Sequence, residues 1–192
     1  MTTVPLGRWV AMAAAAALAV ALASQVTPAQ EPDISYTPVT DERLREGDPS
    51  DWLMYRRTYD SQGYSPLDQI NRENVGDLVP VWTMSTGVTS GHEAPPIVND
   101  GVMFVTTPED RVIAIDARSG EQLWIYNRQF PEGMAHPHRT NRGVALYGDK
   151  VFVATPDSDV VALDSKTGEV VWHTNIGNWE EAYTMTVAPL VV

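Results

Sequence analysis

The chain has 192 residues, with 13 basic and 25 acidic side chains, a formal net charge of −12 at pH 7 and no cysteine. A charge this negative repels a phosphate backbone, which argues against a nucleic-acid-binding function. The lack of cysteine excludes a disulfide-stapled scaffold, so we expect a hydrophobic core to hold the fold.

Residues 1–29 have the pattern of a secretory signal peptide. Arg8 is the single charged residue in this stretch, an apolar run extends from Trp9 to Ala23, and the small residues Ala21 and Ala23 provide a cleavage site. A membrane anchor is the alternative, but the apolar run is too short to span a bilayer comfortably. We therefore predict that residues 30–192 form the mature chain, which lies in the periplasm and has no transmembrane segment.

The next stretch is irregular. Residues 31–50 are rich in proline and charge and predict an irregular segment at the surface. Residues 51–66 contain four aromatic side chains and are expected to pack onto the fold. Residues 71–78 predict one short helix, because Asn71 is a suitable N-cap and Gly76 a suitable stop. Residues 78–87, with Trp82, resemble the last strand of an incomplete structural unit.

One pattern then occurs twice, 48 residues apart: an apolar run ending in aspartate, a polar turn closed by glycine, and a run ending in tryptophan. The shared positions are Asp116, Gly120 and Trp124 in the first copy and Asp164, Gly168 and Trp172 in the second. Aspartate can accept hydrogen bonds from turn N–H groups and glycine tolerates positive φ, so each copy predicts a β-hairpin. We expect Trp124 and Trp172 to be largely buried between neighbouring units, each near a motif glycine.

Two further apolar runs with tight turns precede each hairpin, so each unit should contain four short antiparallel strands. A four-stranded unit with a period of roughly 40–50 residues is one blade of a β-propeller. The predicted fold class is therefore all-β, a propeller of four-stranded blades with Trp motifs. A sandwich with two unrelated hairpins is the alternative, but it does not explain why all three turns match in register.

Residues 185–192 resemble the start of another blade. A closed propeller needs at least four blades, and only two complete ones are visible, so we expect the chain to be a fragment of a longer protein. A natural two-blade module is the alternative, although terminal repeats usually carry caps.

Glu93, Arg142 and Thr186 each lie just before the first strand of a successive predicted blade. The innermost strands of successive blades run side by side around the axis, so these side chains should face one end of it and form a ligand site. Arg142 could bind a carboxylate through two hydrogen bonds. For Glu93 the alternative is an ordinary exposed loop residue.

His136 and His138 form a His-x-His pair that could bind a metal. No third ligand accompanies them, so we predict no metal site within this chain.

Residues 51–192 are similar to the N-terminal third of the quinoprotein alcohol dehydrogenases, which use pyrroloquinoline quinone (PQQ). The resemblance rests on the two Trp motifs and on the ordered set Gly91-His92-Glu93, Asn141-Arg142-Gly143 and Thr186-Val187-Ala188-Pro189. It implies an eight-bladed propeller with the cofactor on its axis. It also implies that Glu93, Arg142 and Thr186 contact the cofactor.

The resemblance further implies oxidation of small primary alcohols to aldehydes, with electrons passed to a cytochrome c or to a quinone. Calcium or a lanthanide takes part, but its ligands and the catalytic aspartate are expected beyond Val192, so the chain alone should be inactive. Many members have adjacent cysteines where this sequence has His136-Pro137. That difference leaves the subfamily and the electron acceptor open.

A non-catalytic propeller that acts as a scaffold for protein assembly is the alternative function. The three polar residues before successive blades favour the enzyme, because a scaffold has no reason to place them there.

Overall fold

The computed structural model describes residues 34–89, 91–134 and 140–192; the predicted signal peptide lies outside these residues. Two four-stranded antiparallel sheets form, and in each sheet every strand pairs with the next along the chain. The predicted all-β class is confirmed. The strands are β1 (Ile97–Asn99), β2 (Val102–Thr107), β3 (Arg111–Asp116) and β4 (Gln122–Asn127) in the first sheet, and β5 (Ala145–Tyr147), β6 (Lys150–Ala154), β7 (Asp159–Asp164) and β8 (Val170–Asn175) in the second.

Within residues 34–89, 91–134 and 140–192, helical structure is limited to α1 (Asp41–Glu46) and two 3₁₀ turns at Val75–Asp77 and Trp179–Glu181. The helix predicted over residues 71–78 is therefore wrong except for its last turn. Asparagine side chains explain the difference, because Asn71 and Asn74 accept hydrogen bonds from nearby backbone N–H groups and compete with helical bonding. Among the described residues, no helix has both the length and the apolar character needed to cross a membrane.

The predicted hairpins are confirmed in both sheets. The Oδ1 atom of Asp116 accepts hydrogen bonds from two turn N–H groups at 2.8 and 3.0 Å, and Asp164 does the same at 2.9 and 2.9 Å. The β3–β4 and β7–β8 pairings shift register at matching places, after Ala114 and after Ala162. The two units thus share their turn chemistry and their irregularities as well as their strand number.

The hydrophobic core is centred on the middle strands of the two sheets. β3 and β7 each bury four residues, whereas β8 exposes all six of its residues. Phe104 on β2 is fully buried, and its ring centroid lies 5.8 Å from that of Trp124. The Trp motif therefore joins the core of the first sheet to the neighbouring unit.

Trp124 is 7% exposed and packs against the turn of the second hairpin, as predicted. Its indole N–H donates to the carbonyl oxygen of Ser165 at 3.0 Å. The ring lies so close to Gly168 that a Cβ atom added there would be 2.5 Å from it. Trp82 makes the same two contacts with the first hairpin, donating to the Ala117 carbonyl at 3.0 Å and covering Gly120.

Trp172 is 41% exposed, so its predicted burial is wrong in this structure. Its ring packs within its own sheet against Phe152, with centroids 5.8 Å apart. The part of the chain that the structure describes holds no third hairpin to cover the other face of this ring, which explains the difference.

The strand-like stretches at residues 78–87 and 185–192 do not form strands. A strand is defined by its pairing, and neither stretch has a strand partner within the described ranges. Both stretches still lie beside the neighbouring blade. Trp82 packs on the first hairpin, and Thr186 contacts the segment before β5.

Residues 34–54, here called the lead-in, place several apolar side chains in the core. The predicted surface position of residues 31–50 holds for most of the described residues in that range, which are exposed, but is wrong for four apolar ones. Ile34, Tyr36, Val39 and Leu44 are all buried. These apolar side chains are spread among polar and charged ones, and no single helical or strand period includes all four of them. For that reason the pattern gives no sign of their burial.

The lead-in bridges both sheets. Val39 pairs with Gly148 of the second sheet, and Trp52 pairs with Val98 of the first. Arg43 strengthens this bridge, because its Nη2 donates to Asp51 at 2.8 Å and to Asn99 on β1 at 2.7 Å.

The aromatic stretch 51–66 packs only in part. Trp52 is half-buried, but Tyr55, Tyr59 and Tyr64 are 39%, 42% and 72% exposed. The intervening Leu53 and Met54 are buried instead and supply the apolar contact.

We expect Gly168→Ala to destabilise the protein more than Gly101→Ala. Both glycines have positive φ, +72° and +79°, so each substitution should cost about 1–2 kcal/mol of backbone strain. Only at Gly168 does the new methyl group meet a neighbour, the Trp124 ring, which should add roughly 1–3 kcal/mol. Urea unfolding of the two variants measures the difference, and equal losses would show that the close ring contact has no energetic weight.

Candidate functional site

Glu93, Arg142 and Thr186 meet in the structure, as their positions predicted; we call these three residues the Arg142 cluster. The Nη2 atom of Arg142 lies 3.1 Å from the Oε2 atom of Glu93. Its Nη1 atom donates to the Thr186 hydroxyl at 2.5 Å and to the Thr186 carbonyl at 3.3 Å. Their role as cofactor contacts stays a prediction.

The chain path brings the cluster together because three segments run side by side. Glu93 precedes β1, Arg142 precedes β5, and the backbone N–H of Arg142 donates to the Thr186 carbonyl at 3.2 Å. Gly143 lies between the outer two segments, where a Cβ atom would be 3.7 Å from that of Ala188 and 3.9 Å from that of Ala94. Its φ of +122° is one that glycine adopts easily.

The cluster opens to solvent. The side chains of Arg142 and Glu93 are 44% and 49% exposed, so their ion pair is a surface contact. Such pairs contribute about 0–1 kcal/mol, so a carboxylate of a ligand could replace Glu93 at little cost. A guanidinium group also keeps N–H donors that the two present partners do not use.

A cavity of about 290 Å³ adjoins the cluster and has Arg142 in its wall. The rest of the wall comes from the chain around Met54 and Tyr59 and from residues 187–190. The Tyr59 hydroxyl donates to the Val191 carbonyl at 3.0 Å and joins the two walls. This volume is near the lower limit of small-molecule sites.

Asn141, next to Arg142, is a part of the site that the sequence analysis did not single out. The side chain is 1% exposed and fully bonded. Its Nδ2 donates to Asp110 at 2.6 Å and to the Ala154 carbonyl at 3.1 Å, and its Oδ1 accepts from the Gly143 N–H at 2.9 Å. Asn141 belongs to the Asn-Arg-Gly motif, and that motif was the available signal.

Asp110 is a second residue that the sequence did not indicate. It lies in the β2–β3 turn, is fully buried, and leaves its Oδ2 atom without a hydrogen-bond partner. Burial raises its pKa to about 7; the hydrogen bond from Asn141 opposes the rise, nearby Asp157 adds to it and Arg128 opposes it. An aspartate in a turn looks ordinary in sequence, so no signal could have found it.

Arg128 ties the first sheet to the second beside this turn. Its Nη2 atom donates to Asp157 at 2.5 Å and to Asp159 at 2.6 Å, and both carboxylates are buried. His173 also lies 2.9 Å from Asp159. The guanidinium group is the main positive charge that faces the pair, so it holds two acidic side chains that would otherwise repel each other.

No group of three or more His, Asp or Glu side chains within residues 34–89, 91–134 and 140–192 is arranged to hold a metal ion. His136, Pro137 and His138 lie outside the described residues.

Asp110 should make stability depend on pH. In the unfolded chain this carboxyl titrates near pH 4, but in the folded chain its pKa is about 7. The folded state therefore binds more protons between these values, and the free energy of unfolding falls as pH rises. Asparagine does not titrate, so Asp110→Asn should not lose this stability. Its free energy of unfolding, measured by urea unfolding, should rise by roughly 2–3 kcal/mol relative to that of the parent as the pH goes from 5 to 8.

Asp116→Asn is the matched control for this experiment. The N–H groups of Ser119 and Arg118 hold the pKa of Asp116 below its usual range, so its titration is complete well below pH 5. This variant should show no comparable change between pH 5 and pH 8. A difference between Asp110→Asn and the parent that is the same at both pH values would contradict the burial effect.

Comparison with known proteins agrees with this architecture. A family model described as glucose/ethanol/alcohol dehydrogenase, beta-propeller domain, of the PQQ type, matches residues 52–171. The 1-butanol dehydrogenase (quinone) of Thauera butanivorans is 42% identical over 91% of this chain, and the quinoprotein ethanol dehydrogenase of Pseudomonas aeruginosa is 40% identical over 92%. The chain covers 28% of the length of each of these two relatives.

Solved structures give the same result. A quinohemoprotein alcohol dehydrogenase of Pseudomonas putida HK5 superposes on 82% of the chain with a TM-score of 0.76 and 40% identity, and the chain covers 24% of it. A europium-containing methanol dehydrogenase superposes on 79% with a TM-score of 0.73 and 33% identity, and the chain covers 28% of it. The two sheets are therefore propeller blades, and the chain belongs to the PQQ family of glucose, ethanol and alcohol dehydrogenase beta-propeller domains.

Proposed function

We propose that this chain is the N-terminal part of an exported, PQQ-dependent alcohol dehydrogenase that oxidises primary alcohols to aldehydes. The observation that carries the proposal is the meeting of Glu93, Arg142 and Thr186 at the start of three successive chain segments. A scaffold propeller needs no such cluster.

The donor set of the Arg142 cluster fits the cofactor. PQQ carries three carboxylates, and Arg142 offers charge-assisted hydrogen bonds to such groups. The Thr186 hydroxyl is a neutral donor, and Glu93 can accept from a ring N–H. When bound, the quinone supplies the hydride acceptor for alcohol oxidation.

The printed names of the relatives support the substrate class. Two of them are named for 1-butanol and ethanol, both primary alcohols. The methanol dehydrogenase of similar structure contains europium, which supports the lanthanide alternative for the metal, whereas calcium is proposed from the family resemblance alone. The metal ligands and the catalytic aspartate are expected beyond Val192.

A cytochrome c or a quinone is the proposed electron acceptor. The names of the relatives support both, since one is a quinone-linked dehydrogenase and another is a quinohemoprotein.

Export to the periplasm follows from the pattern of residues 1–29. We expect cleavage between about residues 23 and 30, and N-terminal sequencing of the mature protein checks it. A mature protein that still begins at Met1 would contradict export by this signal.

Arg142→Ala should weaken PQQ binding to the full-length apoprotein by about tenfold to a hundredfold, because a hydrogen bond to a charged group is lost. Titration of the apoprotein with PQQ, followed by tryptophan fluorescence, measures the affinity. Arg118→Ala is the control: Arg118 is an exposed arginine in the β3–β4 turn, and its loss should leave the affinity unchanged. Equal affinities of Arg142→Ala and the parent would remove the cluster from the cofactor site.

A further inference from the structure

We infer that Asp110 is a positioning residue for Arg142 and that it acts through the amide of Asn141. The inference rests on the proposed function, because it matters only if the Arg142 cluster binds an anion.

The contacts form one continuous path. The Oδ1 atom of Asp110 accepts from Asn141 at 2.6 Å, and the Oδ1 atom of Asn141 accepts from the Gly143 N–H at 2.9 Å. Arg142 lies between these two anchored residues, and its own N–H donates to the Thr186 carbonyl. Every polar link that fixes this turn is therefore made to a buried or backbone group.

The side-chain amide of Asn141 has no unused donor, so it cannot form an alternative hydrogen bond without breaking one of these two. The second hydrogen of this amide is donated to the Ala154 carbonyl on β6. The backbone carbonyl of Asn141 accepts from the Thr106 hydroxyl on β2 at 3.5 Å. Asp110 thus sets the orientation of an amide that is bonded to both sheets. A change in that amide must move the backbone that carries Arg142.

Asp110 is a costly residue to keep at this place. Its carboxyl is fully buried with one oxygen unpartnered, and its φ of +54° is uncommon for a residue other than glycine. Burial also raises the pKa of Asp110, because the charged carboxylate is disfavoured away from water. Features that oppose local stability tend to be retained at functional sites.

The second sheet provides an independent parallel. Ser158 occupies the same place in the β6–β7 turn that Asp110 occupies in the β2–β3 turn, with a similar φ of +65°. Its hydroxyl donates to the Tyr183 carbonyl at 2.8 Å, three residues before Thr186. In both sheets, this turn residue holds the segment that leads to the next residue of the cluster.

The parallel also supplies the test variant. Serine is accepted in this turn at position 158, but its side chain is one bond shorter than that of aspartate and should not reach Asn141. Asp110→Ser should therefore remove the hydrogen bond to Asn141 while keeping a residue that this type of turn accepts. Asp110→Asn keeps an acceptor of the same length and is the conservative variant.

The experiment is a titration of full-length apoprotein with PQQ at one pH, with melting curves to confirm folding. We expect Asp110→Ser to weaken PQQ binding by about threefold to tenfold, the range for one lost hydrogen bond. Asp110→Asn should stay within about twofold of the parent. In an Arg142→Ala background, Asp110→Ser should weaken binding no further, because residues that act through one another are not additive.

The outcomes separate the inference from the proposed function. If Arg142→Ala weakens binding but Asp110→Ser does not, or if the two losses simply add, the positioning role is wrong and the proposed function stands. If Arg142→Ala has no effect, the proposed function fails and the inference fails with it. If Asp110→Ser does not fold, Asn141→Ser is the second variant, because it breaks the same hydrogen-bond path at Asn141. In the Arg142→Ala background it too should weaken binding no further, and additive losses would contradict the positioning role.

Discussion

The contact of the Trp124 ring with the turn at Gly168 is the interaction on which the arrangement of the two sheets depends. Antiparallel sheets can pair internally without any relation to each other, so something must fix the distance and angle between them. The Trp124 ring lies directly on Gly168, where a Cβ atom would be 2.5 Å from it, so this contact sets how closely the two sheets approach each other. The hydrogen bond from the indole to the Ser165 carbonyl then fixes the rotation of the ring.

The opposite ends of the two sheets use polar contacts for the same purpose. Arg128 binds two carboxylates of the second sheet, and Asn141 is bonded to groups from both. Apolar packing sets how close the sheets approach, whereas these directional bonds decide which side chains meet at the cluster. Fixed sheets and a fixed turn are both needed for Arg142 to stand between Glu93 and Thr186.

The sequence was most informative where a pattern recurs. The hairpins, the burial of Trp124 and the meeting of the Arg142 cluster follow from equivalent positions in successive units, because equivalent positions in stacked blades are neighbours in space. It failed for Trp172, whose burial depends on a covering hairpin that the described residues do not include. It also failed for the lead-in and for Asp110, since their burial comes from distant pairing and leaves no local period or motif.

The lead-in has a consequence for the order in which the chain can fold. Val39 pairs with Gly148, 109 positions later, so this contact cannot form until the chain has reached the β5–β6 turn at the start of the second sheet. Contacts between such distant segments are slow to form, because the entropy of closing a long loop is lost before the contacts stabilise the chain. Each hairpin can form from its own local sequence, but Ile34, Tyr36, Val39 and Leu44 become buried only when the distant segments that form the core are in place. The earliest described segment of the chain is thus among the last to reach its native place, and until then its apolar side chains remain open to chaperones and to competing partners.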